Sequence, residues 1–244
     1  MKVSFWGTSH GVPEKNRKCT TILIEVQKNR YFLDMGSSVI EKLINENMEF
    51  SSVKGIFITH MHGDHTFGLP AFIDLSDWFF KNYKTKILLP RESAKESLKQ
   101  WILENRMGTN GWVHKLSADI LSYDSGVIFN DGIIKVTAIK NQHIDDSYSF
   151  LVEHEEKRVV FTGDLKNPTI DFPLSVLDKD VDLLICEAAH FPISDYTEVL
   201  INEKIKKIYV THYVEKMLNS LKEIEKDIGK DINIASDNDT IMIY

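Results

Sequence analysis

The chain is poor in the features that mark secreted, membrane or fibrous proteins. Two cysteines in 244 residues are too few for a disulfide framework, and one of them, Cys186, sits in the apolar run VDLLICEAA that reads as a buried strand. That usage favours a reducing, cytoplasmic setting. No apolar run approaches the ~18–20 residues that span a bilayer. The N-terminal MKVSFWGTSHG lacks the apolar stretch of a signal peptide, so no membrane partner is expected. Proline is scarce, at six residues, and no Pro-, Gly- or Ser-rich linker divides the chain, so a single domain over 1–244 is expected. Positive charge is in deficit. A net charge of −7 argues against a broad electrostatic face for nucleic acid, so a polyanionic substrate would have to be met locally.

What is present is a dense alternation of short strands and helices. Strands are predicted at KVSFWG (2–7), TTILIEV (20–26), RYFLD (30–34), GIFIT (55–59), KILLP (86–90), IIKVTAI (133–139), SYSFLVE (147–153), RVVFTG (158–163), VDLLICE (181–187) and KIYVT (207–211). Helical periodicity covers 37–47, 67–80, 93–106 and 214–228. Turn-rich joints at 27–29, 129–133 and 153–158 read as hairpins. The pattern suits an α/β fold of two mixed sheets packed face to face with helices outside. IFITH (56–60) and IYVTH (208–212) echo each other, each an apolar strand ending in Thr-His and followed by a helical pattern.

The strongest chemical signal is THMHGDH (59–65), which packs four candidate ligands into six residues after a buried strand. Neutral imidazole suits zinc and similar ions, and a carboxylate adds charge neutralisation. Residues two apart on an extended segment face the same way, so His60 and His62 can grip one ion. Gly63 permits a tight turn that aims Asp64 and His65 at a second ion. His143, Asp164 and His212 each follow a predicted strand, where ligands distant in sequence converge. Asp164, with two oxygens, is the natural bridging carboxylate. Two divalent ions are therefore expected, zinc first, with manganese or iron as alternatives.

These motifs resemble the metallo-β-lactamase superfamily, and within it ribonuclease Z, the endonuclease that trims precursor tRNA. The similarity is carried by GTSHGVPEKNRKCTTILIE (7–25), YFLDMGSS (31–38), GIFITHMHGDHTFGLPAF (55–72), NQHIDDSYSFLVE (141–153), VVFTGDL (159–165), LLICEA (183–188) and IYVTHY (208–213). The resemblance implies the αββα sandwich of that superfamily. It implies that His60, His62 and His143 hold one metal, that Asp64, His65 and His212 hold the other, and that Asp164 bridges. Asp34 would orient a ligand histidine.

The departures from that pattern shift the expected substrate. Only LKNPTIDFPLSVLDKDVD separates Asp164 from Leu183, where ribonuclease Z carries a long tRNA-clamping arm, and its catalytic His-Ser-Thr element is missing. A small-molecule or nucleotide-derived diester is thus preferred over nucleic acid as the substrate of a metal-dependent phosphodiesterase. A carboxylic ester, lactone or thioester is the alternative, and a non-catalytic nucleic-acid-binding or scaffold protein the lesser one. A homodimer stays open. Asp64 is expected to orient the attacking water, and Glu187 or His190, in CEAAH after the strand LLIC, to protonate the leaving group. Lys15, Arg17 and Lys18 read first as a solvated loop, and Trp78, Phe79, Phe80, Trp101 and Trp112 as core or helix-face packing.

Overall fold

The computed structural model describes residues 1–80, 83–106 and 117–244. Fourteen strands run in chain order as β1 Lys2–Gly7, β2 Thr21–Val26, β3 Asn29–Leu33, β4 Val53–Phe57, β5 Lys86–Leu89, β6 Asp119–Ser122, β7 Gly126–Asn130, β8 Lys135–Lys140, β9 Tyr148–His154, β10 Lys157–Phe161, β11 Leu183–Ala188, β12 Ile208–Tyr213, β13 Ile232–Ile234 and β14 Thr240–Met242. They form two seven-stranded sheets, β14-β1-β2-β3-β4-β5-β6 and β13-β12-β11-β10-β9-β8-β7. Each sheet is mixed. Strands β3 to β6 run parallel in the first and β10 to β13 in the second, with antiparallel hairpins on the other side.

The strand sequences dictate this layering, because side chains on a strand alternate between faces. On β2, Ile22 and Ile24 enter the core between the sheets, which they share with Phe57, Phe150 and Phe161, while Leu23 faces outward. On β11, Leu183 and Ile185 face inward and Leu184 and Cys186 outward. Both faces of each sheet are thus apolar, and helices must cover the outer ones. Helices α1 Ile40–Asn45, α2 Gly63–Thr66, α3 Gly68–Phe79 and α4 Glu92–Arg106 follow strands of the first sheet, and α5 Pro168–Asp171, α6 Thr197–Leu200 and α7 Leu221–Ile228 those of the second. Leu43, Leu69, Phe72, Ile73, Leu98 and Ile102 close one outer core, and Val199, Leu200, Ile224 and Ile228 the other. The result is the expected αββα sandwich. Both cysteines are buried free thiols, and among the described residues no helix is long and apolar enough to cross a membrane.

Some local expectations fail for identifiable reasons. The periodicity over 214–228 predicts one helix, but a 3₁₀ turn at Glu215–Leu218 precedes α7. Asn219 and Ser220 interrupt it, since their short polar side chains compete for backbone hydrogen bonds. Of β7 only the turn at 129–133 is read from the sequence, and no predicted strand corresponds to β6, β13 or β14. The last two have only three residues each, too few to display a period. Phe79 and Trp101, read as packed, are 71% and 53% exposed. Trp112 lies outside the described residues.

Candidate metal centre

The carboxyl ends of the parallel strands β3, β4, β10, β11 and β12 all open at one edge of the sandwich, and there the candidate residues meet. β4 leads into Thr59 and His60, and α2 carries Asp64 and His65. His143 sits in the β8–β9 loop, Asp164 just beyond β10, and His212 within β12.

Three ring nitrogens face one another on one side. His60 Nε2 lies 2.9 Å from His62 Nδ1, and His143 Nε2 lies 3.3 Å from that same His62 atom. Asp164 Oδ2 stands 3.6 Å from His60 Nε2, 3.7 Å from His143 Nε2 and 3.3 Å from His212 Nε2. Its Oδ1 is 3.4 Å from His65 Nε2, which is also 3.4 Å from Asp64 Oδ2. Asp164 therefore stands between two clusters of ligand atoms, His60/His62/His143 and Asp64/His65/His212, and each cluster is compact enough to hold an ion. His62 is exposed and His143 half-buried, so the edge is open on their side.

Hydrogen bonds fix which ring nitrogen His65, His212 and His60 present. His65 Nδ1 donates to Asp34 Oδ2 at 2.7 Å, and His212 Nδ1 meets Thr20 Oγ1 at 2.8 Å, leaving both Nε2 atoms toward the cluster. Thr59 donates its hydroxyl to Asp34 Oδ2 and contacts His60 Nδ1 at 3.0 Å. Two of these positions adopt left-handed backbone, Asp34 at φ 57° and His212 at φ 46°. The pairing of β11 with β12 slips at His212, skipping it between Glu187↔Thr211 and Ala188↔Tyr213. That bulge turns the His212 ring into the site. Gly36 supplies the close approach beneath, since a Cβ there would fall inside the Asp64 carbonyl.

The electrostatics follow from burial and proximity. Burial alone would raise the Asp164 carboxyl, but the charges of His212 and His65 outweigh it and hold it well below the usual carboxylate range. Burial opposes charge on His65 too, yet Asp164 and Asp34 raise it well above an ordinary imidazole. His60 is lowered well below that range by burial and by His65. Despite their 3.4 Å separation, Asp164 Oδ1 and His65 Nε2 are both buried without a hydrogen-bond partner. Orphaned acceptor and imidazole atoms aimed at one point are what a divalent ion satisfies, so this donor set fits a bound divalent metal.

The other candidates fall around this centre. Glu187 is 1% exposed, and its carboxylate accepts from the Leu165, Ala189 and His190 backbone N–H groups. His190 hangs from it on the open side, Nδ1 to Oε1 at 2.8 Å. Arg17 stacks on Tyr213 at 3.8 Å and donates to the Thr8 and Tyr213 carbonyls, which pins the loop from Ser9 to Lys18. That loop reaches the site through its backbone, Gly11 N–H donating to Asp64 Oδ2 at 2.8 Å. Lys15 and Lys18 point into solvent. Sequence reasoning missed Thr20, Asn141 and Asp171, polar residues in stretches with no ligand spacing.

A four-layer sandwich with this histidine and aspartate set at its strand ends has the metallo-β-lactamase fold. Within that class, the chain belongs to the Anti-Pycsar protein Apyc1 family, whose profile it matches over residues 1–229. It is similar to the Ribonuclease BN of Citrobacter koseri, 29% identical over 161 residues that make up 64% of this chain and 51% of that protein. The chain spans about half the length of the curated relatives it matches. Its fold is that of the metallo-β-lactamase fold protein YhfI from Bacillus subtilis, with TM-score 0.78 and 17% identity over 98% of each chain. Human tRNase Z, short form, superposes with TM-score 0.70 and 18% identity over 100% of each chain.

Proposed function

We propose that this chain is a dinuclear metal-dependent phosphodiesterase acting on a small or nucleotide-derived diester. The observation that carries the reading is Asp164, which stands between the two ligand clusters with Oδ2 toward His60, His143 and His212 and Oδ1 toward His65. His60, His62 and His143 would hold one divalent ion and Asp64, His65 and His212 the other, with zinc suited to the imidazole-rich set and manganese or iron as alternatives. Such a pair, when bound, supplies Lewis acidity toward a phosphoryl oxygen and acidifies a water.

The chain's own residues do the rest. Asp64, its Oδ2 fixed by the Gly11 N–H, orients the attacking water. His190 delivers a proton to the departing oxygen from the open side. Glu187, with its oxygens occupied, aims His190 and touches no substrate.

A diester is favoured because the similar Ribonuclease BN and tRNase Z are named for RNA cleavage. A small one is favoured because the segment after Asp164 folds into the single turn of α5 and a 3₁₀ turn at Leu174–Asp178, and because the net charge is −7. The test is a panel of a nitrophenyl phosphodiester, precursor tRNA, lactones and thioesters with added zinc or manganese. Fast diester turnover with poor trailer removal, and a shallow dependence on salt, supports the reading. Faster lactone or thioester turnover, or efficient tRNA trimming, overturns it.

A further inference from the structure

The Asp171 carboxylate lies outside the ligand set, yet two ligand-bearing loops depend on it. Its Oδ2 accepts from the Gln142 backbone N–H at 2.8 Å and from Lys166 N–H at 3.0 Å, and its Oδ1 from Asn167 N–H at 3.2 Å. Gln142 precedes His143, and Lys166 and Asn167 follow Asp164. These loops come from different strand connections and share no covalent neighbour. One carboxylate spans them.

Local sequence puts Asp171 there. Asn167 caps α5, its side chain accepting from Thr169 N–H at 2.9 Å, and Pro168 opens the turn with the fixed φ suited to that position. The Asp171 N–H closes the turn on the Asn167 carbonyl at 3.1 Å, folding the carboxylate back over its own N-terminal neighbours. Phe172, 5% exposed, anchors the turn in the outer core of the second sheet. A second stitch runs alongside, where Asn141 Nδ2 donates to the Asp164 carbonyl at 3.0 Å.

We propose that Asp171 is a positioning residue, a latch that sets the reach between His143 and Asp164 and thereby the affinity for the ion those two would share with His60 and His62. This rests on the metal-pair reading above. Partners that orient ligands typically change metal affinity 10–100-fold when lost. Through His143 the latch bears on one cluster alone, whereas Asp164 faces both, and Asp64, His65 and His212 are held separately by Gly11, Asp34 and Thr20. Its loss therefore weakens the ion at His143 more than the other.

The experiment titrates zinc into metal-free full-length protein against a chromophoric chelator, for wild type, Asp171→Ala and the isosteric Asp171→Asn, with His143→Ala and His212→Ala marking which ion is which. Asp171→Ala should weaken the ion sensitive to His143→Ala by about 10–100-fold and the other ion less, with Asp171→Asn intermediate. Equal weakening of both ions, or none, overturns the latch. Amide exchange of metal-free Asp171→Asn is the second readout. The Gln142, Lys166 and Asn167 amides should exchange faster while those of β11 do not change. Unchanged exchange at Gln142 overturns the proposal even if wild type binds no ion pair, an outcome that would separately sink the metal reading.

Discussion

The His190 imidazole is clamped by Glu187, its Nδ1 2.8 Å from Oε1 and 3.0 Å from Oε2, and its Nε2 is turned to within 3.9 Å of Asp164 Oδ2. Burial works against charge on this ring, but the hydrogen bond and charge of Glu187, with help from Asp164, push it up to about 8. A ring that holds its proton at neutral pH at the rim of the centre suits proton delivery. An alkoxide needs that proton in the transition state, whereas an activated phenolate leaves almost unaided. His190→Ala is therefore expected to lose roughly 10²–10⁴-fold in rate on an alkyl diester and far less on a nitrophenyl one, with metal content unchanged. Equal losses on both substrates would place His190 in metal binding or substrate positioning.

Asp164→Ala removes the only carboxylate that faces both clusters of the described site. The variant should lose at least one ion and nearly all turnover while keeping a folded circular-dichroism spectrum, because the sheets beneath are closed by apolar packing. Elemental analysis beside a rate assay checks it. Full activity would remove Asp164 from the bridging role.

The protons held in the metal-free site have a sign that can be tested. His65 is raised well above the ordinary imidazole value of 6.5 against the pull of burial, by Asp164 and Asp34. It therefore carries a proton at pH 7 that an ion on Nε2 must displace. Zinc binding at pH 7 should release protons, seen as a dependence of calorimetric heat on the buffer's ionisation enthalpy. A group raised on folding contributes stability that is complete below its unfolded value, about 6.5, and lost as pH rises through the folded one. The His65 contribution in the chelated protein should accordingly shrink from pH 6 to pH 9, read as a smaller difference in urea midpoint between wild type and His65→Ala at pH 9, with His190 acting in the same sense near pH 8 and His60, lowered on folding, in the opposite sense. Zinc uptake without proton release would contradict the assignment of His65.

The layers were legible because strands such as β2 and β11 read as short continuous apolar runs, the mark of strands buried on both faces. The ligand set was legible because THMHGDH compresses four donors into six residues and the other three donors follow strand ends. What holds the donors was not. Thr20 reaches His212 across 192 positions and Asp171 reaches Gln142 across 29, contacts that no local pattern encodes. The His212 bulge was hidden for the same reason, since a slip in pairing belongs to two strands and shows in neither alone. Arg17 was read as a loop cation because a charge run looks alike whether it faces water or a tyrosine ring.

The most direct test of a dinuclear phosphodiesterase is elemental analysis of the purified protein after careful removal of loosely bound metal, paired with turnover of a nitrophenyl phosphodiester before chelation, after it, and after zinc or manganese is restored. About two transition-metal ions per chain are expected, in keeping with a two-metal site, with activity lost on chelation and regained with the metal. A reproducible content near zero, with no diester turnover restored by either metal, would contradict it.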